Sequence, residues 1–376
     1  MLAQPPFWFI VIAFLCALGP LVVFHELGHY WVARWLGVGA EQFSIGFGRE
    51  VAGWTDKRGT RWKVGWLPLG GYVRFVGDMN PVSQPGDVAD LPPAVRGKAF
   101  HLRPWWHRFL IVLAGPVANF LLAIAIFAAF FAAYGEPRTS NLVSAVIDGG
   151  PAQAAGIKPG DRILSVAGRE TPTFEDVYQA VTLRPGERVD ILILRSGNNV
   201  RLEANIGARL ETDRFGQKFK VGRLEILGSE RQYVPPSAIN LIPAATSYTF
   251  KITRWMIDGL WQILSGRRSV KDLGGPLKMA QIAGQQLSLG TFEFIQLIAL
   301  FSINLGFINL LPVPVLDGGH LVFYAAEAVR RRPVSEQAQE WAFRSGLALL
   351  LALLILVTVN DLASFGLFER LGRLIG

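Results

Sequence analysis

The chain has 376 residues, of which 51% are hydrophobic and only 18% are charged, whereas a soluble globular domain usually carries about 25% charged residues. With a mean hydropathy of +0.32, this composition argues against a purely soluble protein, and the length predicts more than one folded unit. The net charge of +8 is better explained by basic cytoplasmic loops than by nucleic-acid binding. The single cysteine, Cys16, excludes an intrachain disulfide and a multi-cysteine metal site, so a bound metal would need histidine and carboxylate ligands.

Four apolar stretches predict transmembrane helices. The first runs from Phe7 to about Ala33, and the lack of basic residues before it argues against a cleaved signal peptide. The others are Phe109 to Tyr134, Phe294 to Leu316, and the short Gly346 to Asn360, which needs polar flanks to reach the roughly 20 residues of a span. The predicted segments are 1–36 for the first span, 107–134 for the second, 291–325 for the third, and 326–376 for a cytoplasmic loop, the fourth span and a C-terminal tail.

Three ionisable residues interrupt the first span, in the stretch HELGH. On a helix, positions i and i+4 share a face, so His25 and His29 can both reach one metal ion, and Glu26 lies close enough to act as a base. The alternative is a pair of interfacial histidines beside Trp31 and Trp35. Ionisable side chains at membrane depth cost about 2.5–3.5 kcal/mol each, and this cost favours a functional metal site.

Residues 41–76, within a segment 37–106 on the cytoplasmic side, contain β-like runs such as EQFSIGFG, TRWKVGWL and GGYVRFVG. Because they follow the HELGH cluster directly, they predict a membrane-associated sheet, in which several glycines would permit tight turns or close backbone approach. The alternative is an ordinary cytoplasmic sheet.

Basic residues predict the orientation of the spans. They are concentrated between the first and second spans and again after the third span, so the positive-inside rule puts both loops in the cytoplasm and both termini outside. His25 comes 18 residues after Phe7, about 27 Å into a hydrocarbon core about 30 Å thick. The cluster is therefore expected inside the bilayer, near its cytoplasmic face.

Residues 135–230 are then extracytoplasmic, and short β-rich runs such as DRILSV and RVDILIL predict a small α+β domain. The stretch GGPAQAAGIKPGDRILSVAGRE resembles a PDZ domain of the bacterial protease type. That likeness implies that a peptide or its C-terminus binds there as an added strand. Residues 231–290 become helical and amphipathic, and Trp255 and Trp261 favour helices lying at the membrane interface. The alternative is that these helices pack on the preceding domain.

The third span ends at a candidate third metal ligand. Asp317 follows 23 uncharged residues, and the inward direction of this span brings it level with the HELGH cluster. Two prolines and two glycines nearby would unwind the backbone, which membrane depth tolerates only around a cavity or a buried site. His320, three residues further on, is the competing ligand.

HELGH in the first span, NLLPVPVLDGGH in a later span and the PDZ-like segment together resemble the site-2 protease family. The likeness is greatest to its bacterial regulator-of-sigma-E-protease branch and covers nearly the whole chain, with room for one PDZ domain instead of two in tandem. It implies a polytopic α-helical membrane protein with four transmembrane helices, a membrane-associated β-sheet with a reentrant hairpin, and one extracytoplasmic α+β PDZ domain.

The resemblance also implies roles for individual residues. His25, His29 and Asp317 match the zinc ligands of the family, and Glu26 matches its catalytic base. The positions that match substrate-handling segments and the reentrant hairpin are Asn309, Pro312, Pro314, Gly46, Phe47 and Gly48.

The predicted function is therefore that of an intramembrane metalloprotease of the bacterial inner membrane, with Zn2+ as cofactor. The resemblance implies substrates that are single-span membrane proteins, such as anti-sigma factors or signal-peptide remnants, in contact with the lipid bilayer. Two other classes fit less well. A non-catalytic scaffold would not need Glu26, and a metal transporter would favour internal repeats and repeated ligand sites, which the sequence does not contain.

Overall fold

The computed structural model describes residues 5–77, 96–212, 218–229, 232–266 and 274–364. Parts of the predicted segments 1–36, 37–106, 135–230 and 231–290, and the end of the predicted C-terminal tail (365–376), lie outside the described residues. The chain divides into two compact units. The first comprises Met1–Phe127, Tyr248–Thr253 and Gly274–Val359, and the second comprises Ala128–Ser247, Arg254–Leu273 and Asn360–Gly376.

The helices and strands follow one another in this order: α1 (Phe7–Trp35), β1 (Ala40–Thr55), β2 (Arg61–Phe75), α2 (Trp105–Tyr134), β3 (Glu136–Arg138), β4 (Val143–Val146), α3 (Pro151–Ala154), β5 (Arg162–Val166), β6 (Arg169–Glu170), α4 (Phe174–Thr182), β7 (Arg188–Arg195), β8 (Asn198–Asn205), β9 (Gly207–Thr212), β10 (Lys218–Arg223), β11 (Ile226–Gly228), β12 (Gln232–Val234), α5 (Leu241–Leu264), α6 (Pro276–Leu289), α7 (Thr291–Asn309), α8 (Asp317–Arg330) and α9 (Glu336–Ser364). Among the described residues, α1, α2, α7 and α9 are the helices long and apolar enough to cross a membrane. This is the helix content expected of a multi-pass membrane protein.

The third spanning helix is shorter than the sequence predicts. α7 ends at Asn309 instead of continuing to Leu316, and a tight turn precedes α8, which begins at Asp317. Pro312 and Pro314 cannot donate backbone hydrogen bonds to continue the helix, and Val315 takes a φ of 97°. The predicted metal ligand therefore stands at the first residue of a new helix.

The strands β1 and β2 are long and bent, and each contributes two rows to one sheet. Residues 42–45 of β1 stand opposite residues 71–74 of β2 on one side and opposite residues 61–64 on the other. Residues 52–55 of β1 also stand opposite residues 61–64. The row 71–74 is therefore at an edge of the sheet, with no strand on its far side among the described residues.

Small side chains allow α1 to pack closely against α6 and α7. Ala13, Ala17 and Leu21 are fully buried and form a cluster with side chains of both helices. A Cβ atom at Gly284 of α6 would lie 2.8 Å from the Ile10 side chain. Among the two predicted amphipathic helices, α6 thus buries one face against α1, while Trp261 of α5 is 67% exposed.

The second unit contains an α+β core. Its sheet has the strand order β6-β5-β7-β8, and the alternating apolar residues of β5 and β7 point into the core together with those of α4. Thr173 caps α4 by a capping box with Asp176, which satisfies two backbone amides that would otherwise lack a partner. Arg195 donates to the buried Asp161 at 2.7 and 2.8 Å and joins β7 to the turn before β5.

Candidate metal centre

The two histidines of HELGH lie one turn apart on the same face of α1, as their spacing predicts. Each is only 8% exposed, and their Nε2 atoms are 3.2 Å apart. The rings stand nearly perpendicular, at 85°, with centroids 4.8 Å apart. Both Nε2 atoms therefore face the same point beside the helix.

Asp317 reaches the same point from the start of α8. Its Oδ2 lies 3.1 Å from Nε2 of His25 and 3.5 Å from Nε2 of His29. The turn before it fits closely around the helix start, because a Cβ at Gly318 would lie 2.2 Å from the carbonyl oxygen of Leu311. The glycines of the LDGG stretch thus allow the chain to bring the carboxylate between the two imidazoles.

The three ligand atoms fit a tetrahedral metal ion. Zinc bonds of about 2.0–2.1 Å place neighbouring tetrahedral ligands about 3.3 Å apart, and the observed separations are 3.1, 3.2 and 3.5 Å. Oδ2 of Asp317 is buried and receives no hydrogen bond from the described residues. Two imidazole nitrogens and one carboxylate leave a fourth position open, which is the arrangement of catalytic zinc sites.

Helix α2 holds the far sides of both imidazoles. Nδ1 of His29 donates to the carbonyl oxygen of Ile111 at 2.8 Å, so its Nε2 carries the lone pair that a metal requires. Nδ1 of His25 lies 3.1 Å from the side-chain amide of the fully buried Asn119. Such contacts fix the tautomer and the ring direction of metal-binding histidines.

Gly115 of α2 leaves the space that the imidazoles occupy. A Cβ at this position would lie 2.2 Å from Nε2 of His29 and 2.9 Å from Cε1 of His25. In α1, Gly28 lies between the two histidines, and a Cβ there would lie 2.3 Å from the carbonyl oxygen of Ala114 in α2. The close approach of α1 and α2 therefore depends on missing side chains in both helices.

Glu26 faces the β2 edge of the sheet. It lines a cavity together with Val73 of β2, and a Cβ at Gly71 would lie 3.2 Å from its Cγ. A cavity of about 290 Å³ joins the carboxylate to the three ligand side chains. The cavity is also lined by residues of β2, α7 and α8: Gly70, Gly71, Tyr72, Val73, Leu305, Asn309, His320 and Tyr324.

The sheet is anchored to α1 at the turn between β1 and β2. Burial alone would raise the pKa of the Asp56 carboxyl, but hydrogen bonds from its neighbours outweigh this effect and hold the pKa below the usual range. The donors are Trp62, Thr60, Arg58 and Tyr30, the last of which belongs to α1. This contact fixes the sheet relative to the helix that carries the histidines.

The predicted site residues fall into three groups: the metal cluster, the other residues that line the cavity, and residues that lie around the cavity. His25, His29 and Asp317 form a cluster that could hold a metal ion, and Glu26 and Asn309 share their cavity. His320 lines the cavity and packs against Phe343, with ring centroids 5.2 Å apart, but its ring is not part of the metal cluster.

The remaining predicted residues lie around the cavity and do not line it. Pro312 and Pro314 belong to the turn before α8, where the carbonyl oxygen of Pro314 would lie 2.2 Å from a Cβ at Gly346. Gly46 and Gly48 have φ angles of 85° and 86° at the bend of β1. Phe47 between them stacks on the cavity residue Tyr72.

Sequence reasoning overlooked the contribution of α2. Asn119, Gly115 and the carbonyl oxygen of Ile111 all lie against His25 or His29, although residues 109–134 contain no charged residue. A signal was available, because a buried polar residue three positions after a proline in an apolar span needs a hydrogen-bond partner.

A buried two-histidine, one-aspartate centre with an adjacent glutamate, built on apolar spanning helices, defines a membrane metalloenzyme. Residues 13–353 match the family described as Peptidase family M50. The chain therefore belongs to peptidase family M50, the site-2 protease family, and it is a zinc metalloprotease.

Several bacterial relatives cover almost the whole chain. It is 40% identical to "Putative zinc metalloprotease Atu1380" of Agrobacterium fabrum, over 94% of this chain and 96% of that one. It is 42% identical to "Putative zinc metalloprotease mll0638" of Mesorhizobium japonicum, over 94% and 98%. It is 37% identical to "Metalloprotease MmpA" of Caulobacter vibrioides, over 98% and 99%.

Proposed function

We propose that His25, His29 and Asp317 bind the catalytic zinc and that the protein cleaves peptide bonds within transmembrane segments. The observation that carries this proposal is the convergence of the three ligand atoms, 3.1–3.5 Å apart, on a helix apolar enough to span a membrane. When bound, zinc supplies a Lewis acid that polarises a carbonyl group and makes water more acidic.

Glu26 is the proposed general base. It takes a proton from the attacking water and returns that proton to the leaving amine nitrogen when the peptide bond breaks. Its position next to the metal ligands, with its carboxylate in the shared cavity, supports this role.

The row of β2 that lines the cavity is the proposed substrate-binding edge. A transmembrane helix hides its carbonyl groups in backbone hydrogen bonds, so the substrate must unwind before hydrolysis. An extended segment can pair with an exposed strand edge, and the new strand bonds offset those lost from the helix. Asn309 lines the same cavity and would hydrogen-bond the extended substrate backbone.

The proposed substrates are transmembrane segments of single-span proteins already trimmed outside, of the anti-sigma-factor or signal-peptide-remnant type. The α+β domain of residues 135–230 is proposed to be one extracytoplasmic PDZ domain that binds a peptide C-terminus or selects substrates. The concentration of basic residues in the loop between the first and second spans and in the loop after the third span supports a location in the bacterial inner membrane with both termini outside. The interfacial position of α5 remains part of this proposal, supported by the exposed Trp261.

Two substitutions test the assignment of the third ligand. The full-length protein is reconstituted in liposomes with a single-span substrate, and zinc content and cleavage products are measured. Asp317→Asn is expected to lose zinc and cleavage, because an amide is a poor replacement for a charged ligand. His320→Ala is expected to keep zinc, and loss of zinc in this variant with retention in Asp317→Asn would reassign the ligand to His320.

A further inference from the structure

We infer that Asn119 of α2 is a positioning residue. Its side-chain oxygen Oδ1 accepts a hydrogen bond from His25 and thereby orients that imidazole toward the zinc. This inference rests on the proposed ligand set, and it concerns a residue that makes no contact with the metal position itself. Asn119 is 0% exposed and lies in the middle of an apolar spanning helix, where a polar side chain needs a partner to offset its burial.

The first step is the tautomer of His25. Its Nε2 lies 3.1 Å from Oδ2 of Asp317 and 3.2 Å from Nε2 of His29, so Nε2 is the nitrogen that faces the metal position. A metal ligand must offer a lone pair, and the neutral imidazole then carries its proton on Nδ1. The group that faces Nδ1 must therefore accept a hydrogen bond.

The second step is the orientation of the amide. The structure places Nδ2 of Asn119 3.1 Å from Nδ1 of His25, while Oδ1 is buried without a hydrogen-bond partner among the described residues. Two donors would then face each other when His25 binds metal. Rotation of the amide by 180° exchanges the two atoms, gives Oδ1 a donor and gives His25 an acceptor. The metal-bound state selects this second orientation.

The third step is the way in which Asn119 is held. Its backbone oxygen accepts a hydrogen bond from the fully buried Ser302 of α7 at 2.7 Å, a contact separate from the one that its side-chain amide makes with His25. His29 is oriented by a backbone carbonyl, which no substitution removes. The ring of His25 is oriented by the side chain of Asn119. A substitution in α2 can therefore change the orientation of His25 by removing its hydrogen-bond partner.

The test measures the zinc dissociation constant of the purified full-length protein by competition with a chelator of known affinity. Asn119→Ala is expected to bind zinc about 10–100-fold more weakly, the usual effect of removing an outer partner of a metal ligand. Asn119→Leu keeps more of the side-chain volume and should show the same loss. Asn119→Asp keeps an oxygen acceptor and removes the amide donor, so it should bind zinc within about threefold of the native protein.

Ser302→Ala is the matched control. It removes the hydrogen bond to the backbone of Asn119 and leaves the amide in place, so zinc affinity should change by less than about threefold. Helical content and the elution volume in detergent confirm that each variant is folded. An equal loss of affinity in Ser302→Ala and Asn119→Ala would overturn the inference, because packing would then explain both.

Two other results would also overturn it. One is native zinc affinity in Asn119→Ala and Asn119→Leu, and the other is an Asn119→Asp protein as weak as Asn119→Leu. A further variant, His25→Ala, separates this inference from the proposed function. Native zinc affinity in His25→Ala would contradict the ligand set, whereas loss in His25→Ala with no loss in Asn119→Leu would contradict the role of Asn119 alone.

Discussion

At the scale of single residues, the metal centre depends on glycines as much as on ligands. The two imidazoles of α1 occupy the space in front of Gly115, and α1 itself approaches α2 through Gly28. These glycines have no reactive side chain, but the missing Cβ atoms leave the space that allows the three candidate ligand atoms to lie 3.1–3.5 Å apart. The spacing of HELGH therefore predicts two candidate ligands. The glycines of α1 and α2 provide the close helix packing that the site requires.

Gly115→Ala is expected to weaken zinc binding by at least about tenfold, because the new Cβ would lie 2.2 Å from Nε2 of His29. The control is Gly19→Ala in α1, where a Cβ meets nothing within 4 Å. In open space this replacement stabilises a helix by about 0.8–1.0 kcal/mol. A chelator competition assay should therefore separate the two variants, and equal zinc affinities would contradict the close packing of α2 against the ligands.

A second residue-scale prediction concerns acid stability. Burial alone would raise the pKa of Asp161, but the hydrogen bonds from Arg195 outweigh it and hold the pKa below its usual range. A carboxyl with a lowered pKa in the folded state stabilises the protein above its unfolded pKa, near 3.9, and loses that contribution as the pH falls through the folded value.

Asp161→Asn should therefore lower the thermal midpoint at pH 7, since hydrogen bonds to charged groups contribute about 1.5–3 kcal/mol. The difference from the native protein should shrink as the pH falls below about 4. Asp190→Asn, at an exposed position of β7, is the control and should have little effect. A difference that stays constant from pH 7 to pH 3 would show that Asp161 does not act through its charge.

At the scale of elements, the edge of β2 and the helix α1 form the two walls beside Glu26. A Cβ at Gly71 of β2 would lie 3.2 Å from Cγ of Glu26, and Tyr30 of α1 donates a hydrogen bond to Asp56 in the turn between β1 and β2. The sheet thus lies close against α1 at two points. Residues 71–74 of β2 form the edge row of this sheet, which is the substrate-binding edge proposed above.

Gly71→Ala should reduce cleavage roughly 10–100-fold, since small displacements of substrate-positioning groups cost rates of this order. The added Cβ would lie 2.9 Å from Val22 and 2.8 Å from the carbonyl oxygen of Ser44, which forces the edge away from Glu26. Zinc content should remain that of the native protein. Gly97→Ala, where a Cβ meets nothing within 4 Å, is the control, and equal cleavage in both variants would argue against the edge as the substrate site.

At the scale of the whole molecule, the four apolar spans and the placement of His25 and His29 on one face of α1 follow from sequence pattern, because hydropathy and i,i+4 spacing are local properties. The prolines also predict an unwound backbone before Asp317, but the exact end of α7 at Asn309 does not follow from length and hydropathy, which extend the span to Leu316. The proline pair and the strained Val315 decide the boundary. The contribution of Asn119 could not be predicted from spacing, because its contact with His25 joins residues 94 positions apart.

The most direct test of an intramembrane zinc protease that uses Glu26 as its base is cleavage by Glu26→Gln. The full-length variant is reconstituted with a single-span substrate beside the native protein, and zinc content is measured in the same samples. The amide keeps the size of the side chain and cannot accept the proton, so cleavage should fall about 10²–10⁴-fold with one zinc per chain retained. Cleavage at the native rate, with zinc bound, would contradict the role of Glu26 and the mechanism built on it.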